Sequence, residues 1–186
     1  MLKLQDNPPM RLDPSGSVRE YSGSWWVAHT KSRHEKALAW DLHHSGIGYY
    51  LPMLLRETMS GGRKRRQLQP LFTSYVFFCG EQAERYQAMT TNRVANILPV
   101  TERDRFVAEI SAIECAIDSG QVLRLYQSFE QGERCRVTRG PMAGQEGRVV
   151  RVDGVERVVL FISILGRGAE LEIHGDHLER IDEGAG

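Results

Sequence analysis

Residues 70–80 read PLFTSYVFFCG, and Phe72, Tyr75, Phe77 and Phe78 all fall inside this short stretch. Aromatic residues make up only 8% of the 186-residue chain, so their concentration here has a cause. Successive side chains of a strand point to opposite faces, which sends Val76 and Phe78 one way and Tyr75 and Phe77 the other. One set is expected to fill a core beneath helices. The other is either core as well or a surface that awaits a partner.

The flanking sequence supplies the rest of that layer. GYYLPMLLRETMSGGRKRRQLQPLFTSYVFFCG (48–80) reads as two extended runs joined by a long hairpin with Gly61 and Gly62 at its tip. Before it, WWVAH (25–29) reads as a short strand. Ser32 followed by Glu35 predicts a capping-box helix start, with the helix stopping at Ser45 and Gly46. Leu38 and Leu42, one turn apart with Ala39 beside them, give that helix an apolar stripe. After Gly80, residues 81–89 predict a short helix, NILPV (96–100) a strand, and TERDRFVAEISAIECAIDSG (101–120) a longer helix. In that helix Phe106, Ile110, Ile113 and Ile117 repeat at helical spacing, and Gly120 ends it. The alternation predicts an α+β sandwich, an antiparallel sheet with flanking helices.

From residue 133 the pattern changes to short β-branched runs, ERCRVTRG, EGRVVRVDG, RVVLFISIL and AELEIHG, separated by Gly and Pro turns. A second domain is expected, a small barrel. Asp153-Gly154 is a hairpin signal, and Ala169, Leu171 and Ile173 alternate with Glu170, Glu172 and His174 as in a half-buried strand. The expected divisions are a flexible tail over 1–22, rich in Pro8, Pro9, Pro14 and Gly16, a first domain over 23–123, a linker over 124–131 and a second domain over 132–183.

Composition narrows the function. The 24 Lys and Arg equal the 24 Asp and Glu, so any nucleic-acid contact is local rather than a coat of positive charge. Cys79, Cys115 and Cys135 are odd in number and far apart, which indicates neither a disulfide framework nor a zinc site. No signal peptide or membrane span is legible, and a cytoplasmic protein is expected. His43 and His44 are adjacent on a predicted helix and point about 100 degrees apart, so they are not expected to share a metal ion. No phosphate-binding glycine loop, G-x-S-x-G or paired carboxylates stand out, and neither an enzyme nor a cofactor is expected. Cations gather in two places: Lys31, Arg33, His34, Lys36, His43 and His44 around the first helix, and Arg63, Lys64, Arg65 and Arg66 at the hairpin.

GERCRVTRGPMAGQEGRVVRV (132–152) resembles the KOW motif, with Gly140 and Pro141 at its turn and Gly147 before the next strand. In the order Trp-Trp strand, Ser32–Glu35 helix start, YYLPM, basic glycine hairpin, PLFTSYVF, KOW motif and SILGR, residues 23–182 resemble the NusG family of transcription elongation factors. The resemblance implies an NGN domain followed by a five-stranded KOW barrel. It implies that Trp25, Phe72 and Tyr75 line a depression that grips the clamp coiled coil of RNA polymerase. It implies that Lys31 and His44, with the hairpin cations, contact the non-template DNA strand or nascent RNA. Phe161, Ile164, Leu165 and Arg167 are implied as a surface for a small-subunit ribosomal protein or the termination factor Rho, in a monomer that suppresses pausing. Thr73-Ser74, where the family often carries proline and glycine or asparagine, and Leu165, where it often carries an aromatic, lean towards a specialised, RfaH-like paralog. The β-branched content of residues 147–164 predicts a constitutive barrel. A KOW-containing RNA-binding protein is the rival reading, and nine cations against eleven acids over residues 124–186 weigh against it.

Overall fold

A computed structural model describes residues 4–60, 63–126, 132–152, 155–173 and 177–181. The chain divides into two compact units, Met1–Arg103 and Asp104–Gly186. The first is built on a four-stranded antiparallel sheet in the order β2-β5-β1-β6. Its strands are β1 (Trp25–Thr30), β2 (Tyr49–Tyr50), β5 (Tyr75–Cys79) and β6 (Val94–Pro99). The aromatic stretch is thus an interior strand, registered against β1 with Val27 opposite Phe77 and His29 opposite Tyr75.

Alternation sorts the rings as expected. Trp26, Ala28, Val76 and Phe78 join Leu38, Ala39 and Leu42 of α1 (Glu35–His44) and Ala88 of α2 (Gln82–Thr90) in one buried cluster. Trp25, Val27, Tyr75 and Phe77 belong to the opposite face.

The two long runs expected on either side of the hairpin are each cut in two. Pro52 has no N–H to donate to a sheet ladder, and β2 stops before it. Beyond it β3 (Met53–Ser60) and β4 (Arg63–Pro70) form a separate two-stranded ribbon, closed at its root by the Leu71 N–H donating to the Pro52 carbonyl at 2.8 Å. The Gly61-Gly62 tip lies outside the described residues.

The expected capping box at Ser32 does not form. Helix α1 starts after His34, which makes no side-chain cap. Arg33 takes a positive φ of 62°, and the Glu35 carboxylate accepts the Ser74 N–H at 2.7 Å instead of the helix's own terminus. A capping box does close α2, where Glu81 and Glu84 exchange bonds. Residues 4–22, expected as a free tail, are laid against the unit. Leu51 donates to Met10 O at 2.7 Å, the Tyr49 hydroxyl to Pro9 O at 2.8 Å, and Val18 is fully buried. The edge strand β2 offers unpaired backbone groups, and a proline-rich extended segment can satisfy some of them even with little apolar surface of its own.

The second unit begins with α3 (Arg103–Asp118) just past the division. Phe106, Ile110 and Ile113 are buried along it and Ile117 half-buried, the stripe read from the sequence. A six-stranded antiparallel sheet follows in the order β12-β8-β9-β10-β11-β7. Five of the strands are β8 (Glu133–Val137), β9 (Glu146–Val152), β10 (Val155–Ile162), β11 (Arg167–Leu171) and β12 (Leu178–Arg180). The sixth, β7 (Arg124–Tyr126), comes from the stretch expected as a linker and pairs with β11, Tyr126 opposite Gly168. Tyr126 is buried there with Val150 and Val159, which gives those three residues an apolar anchor that periodicity alone does not reveal. Glu170, expected to face solvent, is buried because Arg157 reaches it at 3.7 Å and Glu172 at 3.1 Å. Asp153-Gly154 and His174 lie outside the described residues. Among the described residues no helix is long and apolar enough to cross a membrane.

Candidate functional site

The face of the first sheet that turns away from α1 and α2 is aromatic along most of its width. Tyr21 lies 6.0 Å from Trp25, Tyr50 stacks on Phe77 at 6.4 Å, and Phe72 meets Phe77 edge-to-face at 6.1 Å. Trp25 and Phe72, expected to line an open depression, are each only 1% exposed. Rings of that size fill interior space whenever a neighbour can cover them, since each buries a large apolar area. Tyr75 is the member of the expected trio that reaches the surface, half-buried at the start of β5. Its ring lies 5.2 Å from that of His29, which is exposed. His29 escaped the sequence reading, although the alternation of WWVAHT places it on the same face as Trp25.

The cations around α1 are spread rather than gathered. Lys31 is exposed and its ammonium donates to the Asn92 side-chain oxygen at 2.6 Å. His44 is exposed and stacked on Trp40, centroids 5.2 Å apart and planes 13° from parallel. Trp40 also went unread, though it stands one helical turn before His44. The His43 and His44 rings are 6.0 Å apart and edge-to-face. Among the described residues no His, Cys, Asp and Glu group could hold a metal ion. Arg63, Lys64, Arg65 and Arg66 lie in β4, beside the hairpin tip. Lys64 and Arg66 are exposed, and Arg66 is tied to Glu57 at 2.6 Å. Arg63 and Arg65 hold the register positions opposite Ser60 and Thr58.

In the second unit, Gly140 has a φ of 83° and Pro141 follows it in the turn. Gly147 is needed because of packing rather than a positive φ. A Cβ there would meet Val158 Cγ1 at 2.7 Å and Val159 O at 2.8 Å, so the close approach of β10 selects glycine. Phe161 is half-buried against Tyr126, while Ile164 and Leu165 sit half-buried in a 3-10 turn ended by Gly166 at a φ of 59°. Arg167 opens β11. The turn is held by α3: Glu109 accepts the Ser163 N–H at 2.9 Å and the Ser163 hydroxyl, and Arg105 donates to the same hydroxyl at 2.7 Å. Burial pushes the Cys79 thiol up to about 11 and the Cys135 thiol upward as well.

A family model described as "Transcription termination factor nusG" matches residues 23–116, just over half of the chain. The chain belongs to the NusG family. A KOW motif matches residues 131–161. Among curated NusG relatives, the "Transcription termination/antitermination protein NusG" of Borreliella burgdorferi (strain ATCC 35210) is 23% identical over 186 aligned residues, covering 86% of this chain and all of the relative. The protein of the same name from Pseudomonas aeruginosa (strain ATCC 15692) is 26% identical over 177, covering 84% and 98%. A solved structure described as "Domain interaction in Thermotoga maritima NusG" aligns over 86% of this chain and 97% of its own, at 18% identity and a TM-score of 0.48. The NusG match spans β1 to most of α3 and with them every ring of the aromatic face except Tyr21; the KOW match contains Gly140, Pro141, Gly147 and Phe161.

Proposed function

We propose that this NusG-family chain is an elongation factor that binds the clamp coiled coil of RNA polymerase, suppresses pausing and promotes processive, antiterminated transcription. Residues 23–123 would dock on the polymerase and residues 132–183 would recruit a ribosomal protein or Rho through the Phe161–Arg167 turn. The observation that carries the reading is the aromatic face inside the matched segment, with Tyr75 and His29 at its accessible end. Trp25 and Phe72 support that face from beneath. Lys31 and His44 are assigned to the exposed non-template strand, a local cation and a stacked ring being what a single strand needs. Such a factor raises processivity only through unequal affinity for the open and closed clamp.

Tyr75→Ala tests the docking face. Loss of a central interface ring costs about 2 kcal/mol or more, so affinity for purified polymerase is expected to fall at least roughly tenfold with the fold retained. Unchanged affinity in that titration overturns the assignment.

A further inference from the structure

The β3–β4 ribbon is a sheet of its own, and the chain joins it to the rest of the first unit through residues 51–52 and 71–74. A two-stranded ribbon with so little support is marginal in water and able to pivot about its root. The bond from Leu71 to Pro52 closes that root but does not aim the ribbon. Farther out, Leu55 and Met59 stand 53% and 67% exposed, so this part finds little to lean on. Further ties lie nearer the root. The Lys36 ammonium of α1 donates to the Leu68 carbonyl, and the 3-10 turn Leu4–Asp6 lies against β4.

That turn is itself anchored. The buried Asn7 donates its side-chain amide to the Leu4 carbonyl at 3.1 Å and closes it, and the Trp40 indole of α1 donates to Asp6 O at 3.4 Å. The chain then runs along the edge of β2: Pro9 O accepts the Tyr49 hydroxyl, Met10 O accepts the Leu51 N–H, and Arg11 bridges Tyr50 in antiparallel sense. Met10 and Leu12 pack on the same core cluster that Leu68 of β4 packs on. Pro8 and Pro9 restrict the unfolded chain, so few contacts suffice to keep such a segment down. We propose that residues 4–12 are a strap that aims the ribbon: seated on the β2 edge at one end and on β4 at the other, they hold ribbon and sheet in one orientation. A partner that touches both then meets surfaces already ordered, without the cost of fixing them on binding.

The test compares the full chain with two variants, one lacking residues 1–12 and one carrying Leu4→Gly with Gln5→Gly, which loosens the turn against β4 while residues 8–12 keep their places on β2. Backbone residual dipolar couplings in a weakly aligned sample give the order of the β3 and β4 amides relative to those of β1 and β5. In the parent the ribbon is expected to match the sheet at an order parameter of about 0.85, and in both variants to fall below about 0.6 while β1 and β5 keep theirs. An unchanged ribbon in either folded variant overturns the proposal and leaves Lys36 and the root pair as sufficient supports. Equal loss of order in ribbon and sheet overturns it too, by making residues 4–12 a support of the whole unit. Should the shortened chain fail to fold, seen as collapse of its dispersed amide spectrum, the double glycine variant decides by the same criteria. No polymerase enters the experiment, so the docking assignment stands or falls separately by Tyr75→Ala.

Discussion

Ser74 holds a φ of 68°, a left-handed conformation that costs a residue with a Cβ about 1–2 kcal/mol. It is kept there by the Glu35 carboxylate, which accepts its N–H from the first turn of α1, where a negative charge also suits the helix dipole. The backbone shape that glycine or asparagine adopts easily is therefore retained in this chain by a bond between distant residues. Ser74→Gly is expected to stabilise the protein by about 0.5–1 kcal/mol, the relief of strain being partly offset by the larger unfolded-state entropy of glycine. Denaturant unfolding measures it, and a loss of stability would show that the turn is unstrained. The sequence signalled a departure at Thr73-Ser74 but not its remedy, because Glu35 read there as the far half of a capping box with Ser32. Glutamate three residues after serine has two possible uses, and only the approach of the β5 turn selects between them.

Among the elements, β9 and the ribbon show how strand pairing converts composition into geometry. Gly147 lies inside β9, where a Cβ would collide with backbone as well as side chain of β10. Gly147→Ala is expected to destabilise the second unit by about 1–3 kcal/mol, the usual cost of overpacking, with an earlier melting transition as the readout. A transition at the parent temperature would mean that the strands part at little cost. That glycine was legible as necessary from the KOW spacing, although the reason is the neighbouring strand and not the local backbone angle. The run Arg63–Arg66 was legible as a basic cluster. Its place inside β4, which starts at Arg63 and pairs with β3, was not, because only the partner strand sets that boundary.

Both units carry weak acids that the fold keeps neutral. Desolvation raises Cys79 in the first unit to about 11 and lifts Tyr21 and Tyr49 beside it, and it raises Cys135 in the second. A group whose pKa is higher when folded holds its proton longer than in the unfolded chain. The unfolded state then binds fewer protons, so stability is intact below pH 9 and declines as the pH climbs through about 11. Melting temperature is expected to drop steadily between those values and Cys79→Ser to soften the decline; a flat profile would show that these groups are hydrated. The identity of the core strands, the helix stripes, the two-part organisation and the family were written in the sequence, because each depends on periodicity, turn chemistry or motif order within a local window. Which aromatics are covered and which are reachable, where residues 4–22 lie, and that the hairpin cations belong to a paired strand were settled only by tertiary structure. Burial, edge pairing and strand boundaries depend on groups far apart in the chain, and no local pattern encodes the surface that will close over Trp25 and Phe72 while leaving Tyr75 at the rim.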